Sequence, residues 1–449
     1  MSISVIILAA GKGTRMKSDL PKVLHHIAAA PMLLHVLQTA TTLEPKSIIV
    51  VVGHGADAVR EAVRSHDPKT LIVLQPEQRG TGDAVLQTKE ALAKTTGNVI
   101  VLYGDTPFIK PETLVVLTEA LQSADVAVLG FEPSNPDRYG RLVMEDVQVS
   151  RIVEYEDASE TERAIRFCNS GVLCANAQLL FSLLDAVENN NAAGEYYLTD
   201  VVKLANARQL TVRAVRCEEA ETLGINSRAE LAQAEAVFQA RAREDMLAQG
   251  VTLIAPDTVY FSYDTVIGRD SKVEPNVVFG RGVSVENDVQ IRSFSHLEGC
   301  HVSSGAVVGP YARLRPGTEL ATNVKIGNFV EVKNAQIEDA AKVNHLSYVG
   351  DAKIGAGSNI GAGTVTCNYD GAKKHHTEIG NAAFIGSNTM LVAPVNIGDG
   401  AMTASGSVIT KDVAAGALAV ARAKQHNKSG LATKILAMLR SKKAKRQEG

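Results

Sequence analysis

A six-residue repeat between residues 267 and 408 constrains the fold of this chain most strongly. Branched or aromatic apolar side chains recur every six residues, beginning at Ile267, Val273 and Phe279 and continuing, with shifts of phase, beyond Ile397. A period of six fits neither an α-helix, with about 3.6 residues per turn, nor an alternating strand, with a period of about 2. It fits a β-helix in which each hexad forms one short strand and one turn. A β-sandwich would not keep this phase over so many consecutive hexads.

The hexads predict a triangular rod. Three of them close one coil, and coils stack at the strand spacing of about 4.8 Å, so the region forms roughly nine coils. We therefore expect residues 250–449 to form a left-handed parallel β-helix with a basic tail. Glycine often follows the inward residue, as in Ile326-Gly327 and Ile385-Gly386, and we expect it to tolerate the turn backbone there.

The first 227 residues show a different pattern, in which apolar runs alternate with helical periodicity. This predicts a doubly wound, Rossmann-like α/β domain with its ligand beyond the carboxyl ends of the strands. A connecting helix is predicted at 228–249, where apolar residues recur at helical spacing. The predicted strands are Val5–Ala9, Ile48–Val52, Leu71–Leu74 and Val99–Leu102, and the predicted helices are Leu33–Leu43, Asp57–Ser65, Asp83–Lys94 and Pro111–Ser123.

Charge and cysteine usage narrow the function classes. A formal net charge of −3 speaks against general nucleic-acid binding. The five cysteines are scattered and show no paired spacing, which is typical of reduced thiols, so we expect a cytoplasmic protein. The apolar opening from Ile3 to Ala10 is too short to span a bilayer and lacks a basic segment before it. It predicts a buried first strand and no membrane insertion.

The first strand continues into a glycine-bearing loop that suits phosphate. Gly11 and Gly13 let the backbone approach phosphate oxygens. Arg15 and Lys22 add positive charge where a leaving pyrophosphate would accumulate negative charge. The loop is not a Walker motif, because it lacks Gly-Lys-Ser/Thr at the required spacing, and Met16 stands where a dinucleotide fingerprint needs its third glycine.

Two further segments extend this candidate site. Gln75 and the Gly80-Thr81-Gly82 loop suit the recognition of a base edge. Asp105, at the end of a predicted strand, is well placed for Mg²⁺, which prefers oxygen ligands. Asp105 fits a helix N-cap equally well.

The string LAAGKGTRMKSDLPK, residues 8–22, resembles the sugar-nucleotide pyrophosphorylase (nucleotidyltransferase) family. The resemblance implies that a sugar 1-phosphate oxygen attacks the α-phosphorus of a nucleoside triphosphate and expels pyrophosphate. It implies catalytic roles for Arg15 and Lys22 and a Mg²⁺ site at Asp105 and Asn226. The substrate-binding positions implied by it are Leu8, Ala9, Ala10, Gly11, Lys22, Gln75, Gly80, Thr81, Tyr103, Gly104, Asp105, Gly140, Glu154, Asn169 and Asn226.

A second candidate site lies in the repeat region. The hexads break after Ile360, and residues 361–378, which contain the sequence CNYDG, depart from the repeat. Arg315 and Lys333 are eighteen residues apart, which stacks them one coil apart as a two-cation patch for a sugar phosphate. His345 is a candidate general base near neutral pH. Taken singly, these charges also fit a solubilising surface and a structural histidine, and His375-His376 fits an exposed loop.

The segments RLRPG, NHLSYVGD and CNYDG resemble the acetyltransferase half of the bifunctional N-acetylglucosamine-1-phosphate uridylyltransferase/glucosamine-1-phosphate acetyltransferase family. The resemblance implies that His345 deprotonates the amine as it attacks the acetyl-CoA thioester. It implies that Arg315, Lys333, Tyr348 and Asn359 hold the amino sugar phosphate. The implied coenzyme A contacts are Ala362, Asn368, Tyr369, Ser387, Ser405 and Arg422. The resemblance also implies a homotrimer with the acetyl site between neighbouring rods.

The expected protein is a two-site enzyme. Its substrates are glucosamine 1-phosphate, N-acetylglucosamine 1-phosphate, UTP and acetyl-CoA, and Mg²⁺ is its metal. One alternative is a single-activity nucleotidyltransferase with a structural or regulatory β-helix. A scaffold without catalysis is a second alternative, against which the complete set of cationic and metal-binding side chains argues. The basic tail fits either a solvated end or contact with a phosphorylated ligand; its residues are Arg440, Lys442, Lys443, Lys445 and Arg446.

Overall fold

The computed structural model describes residues 2–447, with side chains to residue 443, and separates into two compact units. The first unit extends to Asp245 and includes Phe261–Tyr263; the second contains Met246–Tyr260 and everything from Asp264 onward. A helix spans Arg228–Ala248, where the connecting helix is predicted, and most of it belongs to the first unit. The division at 227 and 249 stays a prediction. Lys445 and Arg446 of the predicted basic tail lie outside the described side chains.

The first unit is the predicted doubly wound α/β fold, built on a mostly parallel sheet. Ile3–Ala9 lies at its centre, with Asn98–Tyr103 on one side and Ser47–Val52 on the other, all parallel. Its central strands are buried because helices cover both faces, whereas the edge strand Leu71–Leu74 is only partly buried. Along the sheet the strands run Val212–Arg216, Val126–Phe131, Cys168–Asn176, Asn98–Tyr103, Ile3–Ala9, Ser47–Val52 and Leu71–Leu74, with Arg141–Glu145 and Gln148–Val153 attached at one side and His26–Ile27 pairing with Ala30–Pro31 elsewhere.

The strand order reverses beside the first strand. The chain runs outward to Ser47–Val52 and Leu71–Leu74 and then returns to the other side at Asn98–Tyr103. In open α/β sheets ligands bind at such a reversal, beyond the carboxyl ends of the strands. The loops after Ala9 and after Tyr103 meet there, so the fold brings the phosphate-type loop beside Asp105.

The helices follow the predicted periodicity with one correction. The helix predicted over Asp83–Lys94 is only Thr81–Leu86, and the chain continues in turns. The buried Thr88 hydroxyl donates to the carbonyl of Val85, a local bond that competes with helix continuation. The helices of this unit are Met32–Thr41, Ala56–His66, Thr81–Leu86, Pro111–Glu119, Glu160–Arg163, Ala177–Leu184, Asp200–Ala207 and Arg228–Ala248, with 3₁₀ turns at Thr14–Met16, Lys22–Leu24, Ala120–Gln122 and Glu219–Glu221.

The second unit is a parallel β-helix whose hexapeptide repeats are typical of the left-handed class. Within the described residues its strands form two sheets, and each inward side chain lies above its counterpart one coil below, as in Ile291, Val308 and Ile326. The larger sheet contains two runs of strand pairing that share Glu331–Ile337 and Tyr348–Ile354, so the rod has three faces. The smaller sheet contains Thr252–Leu253, Lys272–Val273, Gln290–Ile291, Val307–Val308, Lys325–Asn328, Lys342–His345, Asn359–Ile360, Phe384–Ile385, Met402–Thr403 and Leu418–Ala419. The larger one contains Val266–Ile267, Val278–Phe279, Ser284–Val285, His296–Leu297, Cys300–Val302, Arg313–Leu314, Thr318–Leu320, Glu331–Ile337, Tyr348–Ile354, Val365–Cys367, Thr377–Ile379, Met390–Val392, Val395–Ile397 and Val408–Ile409.

The glycines after the inward residues serve a purpose other than the expected one. Gly327 and Gly361 are not among the residues with positive φ, so dihedral freedom does not explain them. A β-carbon on Gly327 would lie 1.9 Å from the carbonyl oxygen of Asn344, and one on Gly361 would lie 2.5 Å from the backbone nitrogen of Ser387. Glycine is required there because the next coil approaches too closely for any side chain.

The predicted interruption at 361–378 is wider than the observed one. Val365–Cys367 still pairs with Met390–Val392, and Thr377–Ile379 pairs with the strand Tyr348–Ile354. Only residues 368–376 leave the repeat. The rod therefore continues on both sides of a nine-residue corner loop.

The tail of the second unit ends in a helix, Leu431–Gln447, and a short 3₁₀ turn, Pro256–Thr258, follows the first strand of the rod. Within residues 2–447, no helix combines the length and the apolar character needed to cross a membrane.

The coil stacking predicts which substitutions destabilise the rod. Ile326 is 1% exposed, whereas Lys325 on the same strand is exposed. Replacing Ile326 by Ala should lower the free energy of unfolding by about 2–5 kcal/mol, because it leaves a cavity in the core. Replacing Lys325 by Ala should change it by less than about 0.5 kcal/mol. Urea unfolding followed by circular dichroism measures both; equal losses in the two variants would contradict the inward position of Ile326.

Candidate functional site

The loops at the strand reversal enclose a cavity of about 500 Å³ in the first unit. Most of the predicted substrate-binding residues line it, and five further lining residues were not predicted as contacts. The predicted ones are Leu8, Ala9, Ala10, Gly11, Lys22, Gln75, Gly80, Thr81, Tyr103 and Asp105, and the additional ones are Lys12, Val23, Gln78, Ala84 and Glu195. Lys12 lies in the glycine loop itself, so its charge and position were the signal that could have identified it.

Lys22 contacts both predicted metal ligands, Asp105 and Asn226. Its ammonium donates to the Asp105 carboxylate and, over 2.8 Å, to Oδ1 of Asn226. The backbone N–H of Ile225 donates to the Asp105 carbonyl at 3.1 Å, which holds residue 226 beside this carboxylate although the two are distant in sequence. The following helix starts at Pro111 after Lys110, so Asp105 is not the helix N-cap that its position also allowed.

The donor set fits a cation that shares its coordination with substrate. A carboxylate and an amide oxygen converge on one positive group, and both are ligands of the type that Mg²⁺ accepts. Within the described residues no cluster of three or more His, Cys, Asp or Glu side chains is suited to a metal. A metal here would therefore need phosphate oxygens and water to complete its shell.

Gln75 is held in one orientation beside the glycine loop. Its Nε2 donates to Oδ2 of Asp83 at 2.8 Å and to the Gly80 carbonyl at 3.1 Å, and the residue is 2% exposed. Gly80 has φ 115°, and a β-carbon on it would lie 2.5 Å from the carbonyl oxygen of Tyr196. The loop is thus fixed by close backbone packing, which suits the recognition of a flat base.

The other predicted sugar and ribose positions lie together on the same unit. The Asn169 N–H donates to the Gly140 carbonyl at 2.8 Å, and Thr199 Oγ1 donates to Oε1 of Glu154 at 3.1 Å. Burial raises the pKa of the Glu154 carboxyl above its usual range. Burial likewise raises the pKa of Tyr103, so its phenol stays protonated and remains a donor. Gly104 bonds through its N–H to the Leu8 carbonyl at 2.9 Å.

Arg15 lies on the exposed side of the glycine loop, within the 3₁₀ turn Thr14–Met16. Among the ion pairs of the described residues none involves Arg15. Its guanidinium is thus available to a phosphate group.

In the second unit, one register column carries His345 and three predicted coenzyme A contacts. Backbone bonds join successive coils at this corner: Gly363 to His345, Asn388 to Ala362 and Gly406 to Ser387, each N–H donating to the carbonyl of the coil before. The strand pairings extend the same column to Ser405. Arg422, one coil further, is exposed.

His345 is exposed and its ring is oriented by a neighbour in register. Its Nδ1 lies 2.8 Å from Oδ1 of Asn328, and the two residues pair across the ladder. Because Oδ1 is an acceptor, Nδ1 carries the proton and Nε2 is left with its lone pair. A histidine in this tautomer can accept a proton at Nε2.

Arg315 and Lys333 stack as the spacing predicted. The Arg315 N–H donates to the Val332 carbonyl, which places the arginine one coil below Lys333. Arg315 also pairs with Glu331 at 2.8 Å. Tyr348 starts the strand in the coil above and Asn359 lies on the neighbouring face, so the predicted sugar-phosphate residues spread over two faces and the corner beside His345.

Asp351 was not predicted and organises the base of the corner loop. It is 9% exposed and accepts from Nδ2 of Asn334 at 2.6 Å and from Nδ2 of Asn368. Asn368 is therefore buried and holds the loop through its amide, whereas Tyr369 is 62% exposed. The only sequence signal for the role of Asp351 in holding the loop was an acidic residue directly after a glycine, in Gly350-Asp351.

Comparison with known proteins agrees with the two units. Residues 5–193 match the MobA-like NTP transferase domain, and residues 376–411 match the bacterial transferase hexapeptide (six repeats). The bifunctional protein GlmU of Ruegeria pomeroyi is 63% identical over 448 residues, and that of Roseobacter denitrificans is 62% identical over 449 residues; the matches cover 100% of this chain and of each relative. The chain belongs to the bifunctional GlmU protein family.

Proposed function

We propose that this chain acetylates glucosamine 1-phosphate with acetyl-CoA and then transfers a uridylyl group from UTP to the product, giving UDP-N-acetylglucosamine and pyrophosphate. The observation that carries the proposal is the register column in which His345 stands in line with Ala362, Ser387 and Ser405. A purely structural rod does not need an oriented, exposed histidine there. The uridylyl-transfer part of the proposal is supported by full-length membership of the family and by the cavity of the first unit.

The uridylyl step relies on positioning and on charge. The glycine loop presents backbone N–H groups to the UTP phosphates, while Gln75 and Gly80 hold the base. Lys22 and Arg15 neutralise charge as pyrophosphate leaves. Mg²⁺, held by Asp105 and Asn226, would supply further charge neutralisation at the phosphates. No covalent help from the protein is required for this transfer.

The acetyl step relies on His345. Nε2 of His345 takes a proton from the amine as the amine nitrogen attacks the thioester carbonyl. The C–S bond then breaks, and the protonated imidazole returns that proton to the departing coenzyme A thiolate. Arg315, Lys333, Tyr348 and Asn359 hold the sugar phosphate so that the amine faces the column. Ala362, Tyr369, Ser387, Ser405 and Arg422 bind coenzyme A along the corner, with Asn368 fixing the loop.

A homotrimer would complete this second site. One edge of the rod carries a ladder of exposed aromatic rings: Phe294 stacks on Tyr311 at 4.9 Å, and Tyr311 stacks on Phe329 at 5.1 Å. Leu346, beside His345, is 62% exposed and continues this edge. Such a contiguous apolar strip is typical of an interaction surface, and it leads directly to the catalytic corner.

Replacing His345 by Ala should lower the kcat of acetyl transfer by about 10²–10⁴-fold, because the general base is lost. Uridylyl transfer by the same preparation should stay unchanged. Free thiol released from glucosamine 1-phosphate and acetyl-CoA measures the first activity, and pyrophosphate released from N-acetylglucosamine 1-phosphate, UTP and Mg²⁺ measures the second. The His376→Ala variant, in the exposed corner loop, is the matched control. A parallel fall of both activities would refute the division into two sites.

Replacing Asp105 by Asn should reverse that pattern. Uridylyl transfer should fall by about 10²–10⁴-fold, since a ligand charge worth several kcal/mol is removed, while acetyl transfer stays intact. Pyrophosphate release over a Mg²⁺ titration measures the loss. The exposed Asp57→Asn variant controls for the charge change. If Mg²⁺-dependent pyrophosphate release persisted, Asp105 would not be a metal ligand.

Introducing a charge into the aromatic ladder should dissociate the trimer. We expect Phe329→Asp to reduce the mass measured by light scattering below three chains and to reduce acetyl transfer, with uridylyl transfer retained. Phe384, which is 46% exposed against 56% for Phe329, lies outside the aromatic ladder, and Phe384→Asp should leave the trimer intact. A wild-type protein that runs as a single chain would disprove the trimer.

A further inference from the structure

The amide of Gln75 can only accept a hydrogen bond from a ligand in the cavity of the first unit. A glutamine amide has two N–H donors on its nitrogen and one acceptor oxygen. Nε2 of Gln75 uses its donors inside the protein, on Oδ2 of Asp83 at 2.8 Å and on the Gly80 carbonyl at 3.1 Å. Within the described residues no group donates to Oε1, and Gln75 lines the cavity. Oε1 is therefore the atom that Gln75 presents to a bound base.

Asp83 sets this orientation of the amide. A carboxylate offers acceptor oxygens only, so it can meet Gln75 through Nε2 and not through Oε1. Asp83 is 6% exposed, and its second oxygen, Oδ1, accepts from the Arg79 guanidinium at 3.3 Å and from Nε2 of Gln87 at 3.2 Å. Turning the Gln75 amide over would place two acceptors together in a buried position, and a buried polar atom without a partner is disfavoured.

The segment that carries Asp83 is itself fixed. Asp83 lies in the first turn of the helix Thr81–Leu86. The Tyr196 N–H donates to the Arg79 carbonyl and the Gly82 N–H donates to the Tyr196 carbonyl, each at 2.8 Å. The Arg79 guanidinium also lies 6.0 Å from the centre of the Tyr196 ring. The carboxylate of Asp83 is thus a fixed reference for the orientation of Gln75.

We propose that Asp83 is a positioning residue that makes the site select uracil over cytosine, by holding Oε1 of Gln75 towards the base. The proposal deepens the uridylyl transfer proposed above and rests on it. Uracil, joined to ribose through N1, has a single N–H, at N3, and an acceptor oxygen can receive it. N3 of cytosine carries a lone pair instead, so cytosine seated in the same way brings two acceptors together and leaves both unpaired.

The nucleotide selectivity of the full-length protein tests this orientation. Pyrophosphate release is followed with N-acetylglucosamine 1-phosphate, Mg²⁺ and either UTP or CTP, and the two values of kcat/KM are compared. We expect the wild type to favour UTP by about a hundredfold. Asp83→Asn should lower this ratio by about tenfold or more. The asparagine oxygen should stay with the two donors of Arg79 and Gln87, so that its Nδ2 faces Gln75 and draws Oε1 away from the base.

Two further variants separate orientation from a general loss of charge or packing. Asp83→Ala removes the restraint on Gln75 without reversing it, so the ratio should fall by a smaller factor. Glu77→Gln removes the other carboxylate beside Arg79, at 3.8 Å, without a contact to Gln75, and should keep the wild-type ratio. Thermal unfolding followed by circular dichroism checks that each variant is folded.

Equal slowing of both nucleotides in Asp83→Asn and Asp83→Ala, with the ratio unchanged, would make Asp83 a purely structural residue and overturn the proposal. A wild type that uses CTP as well as or better than UTP would also overturn it, while nucleotidyl transfer stands. A wild type that releases no pyrophosphate from either nucleotide would instead remove the proposed uridylyl transfer, and the selectivity with it.

Discussion

Close stacking of the coils is the constraint on which the second unit depends. Strands in register leave so little room between coils that the positions of Gly327 and Gly361 admit no side chain. The same stacking repeats every register position as a straight column along the rod. A column whose members face outward is a fixed row of side chains, and the row containing His345, Ala362, Ser387 and Ser405 is one of these. The close approach that excludes side chains at the glycines and the row proposed to bind coenzyme A therefore have one cause.

In the first unit, the edge of a parallel sheet brings the residues of the candidate site together. Parallel strands end at one edge, and the reversal of strand order brings the loops after Ala9 and Tyr103 together. The positive charge of Lys22 then joins Asp105 to Asn226, two residues separated by half of the unit's sequence. In both units the candidate site residues lie at backbone positions that cannot shift without disturbing buried strands. This rigidity suits reactions that depend on positioning more than on covalent help.

Periodicity made most of the architecture predictable, since inward residues and glycines repeat at a spacing no other fold shares. The stacking of Arg315 on Lys333 followed from that spacing, whereas Ala362, Ser387 and Ser405 were expected from the family resemblance alone. What sequence could not provide were contacts made by irregular backbone. The shortening of the helix at Leu86 depends on one side-chain bond of Thr88, and the role of Asp351 depends on two amides from different coils.

The corner loop at residues 368–376 shows how such a rod acquires chemistry. The strands before and after the loop keep their pairing, so the extra residues do not change the packing of the core. Corner length is thus a variable that evolution or an engineer can change freely, whereas each face is tied to the spacing of the whole stack. Inserting a segment at a corner next to an existing column would therefore change ligand specificity with the least disturbance of the stacked coils.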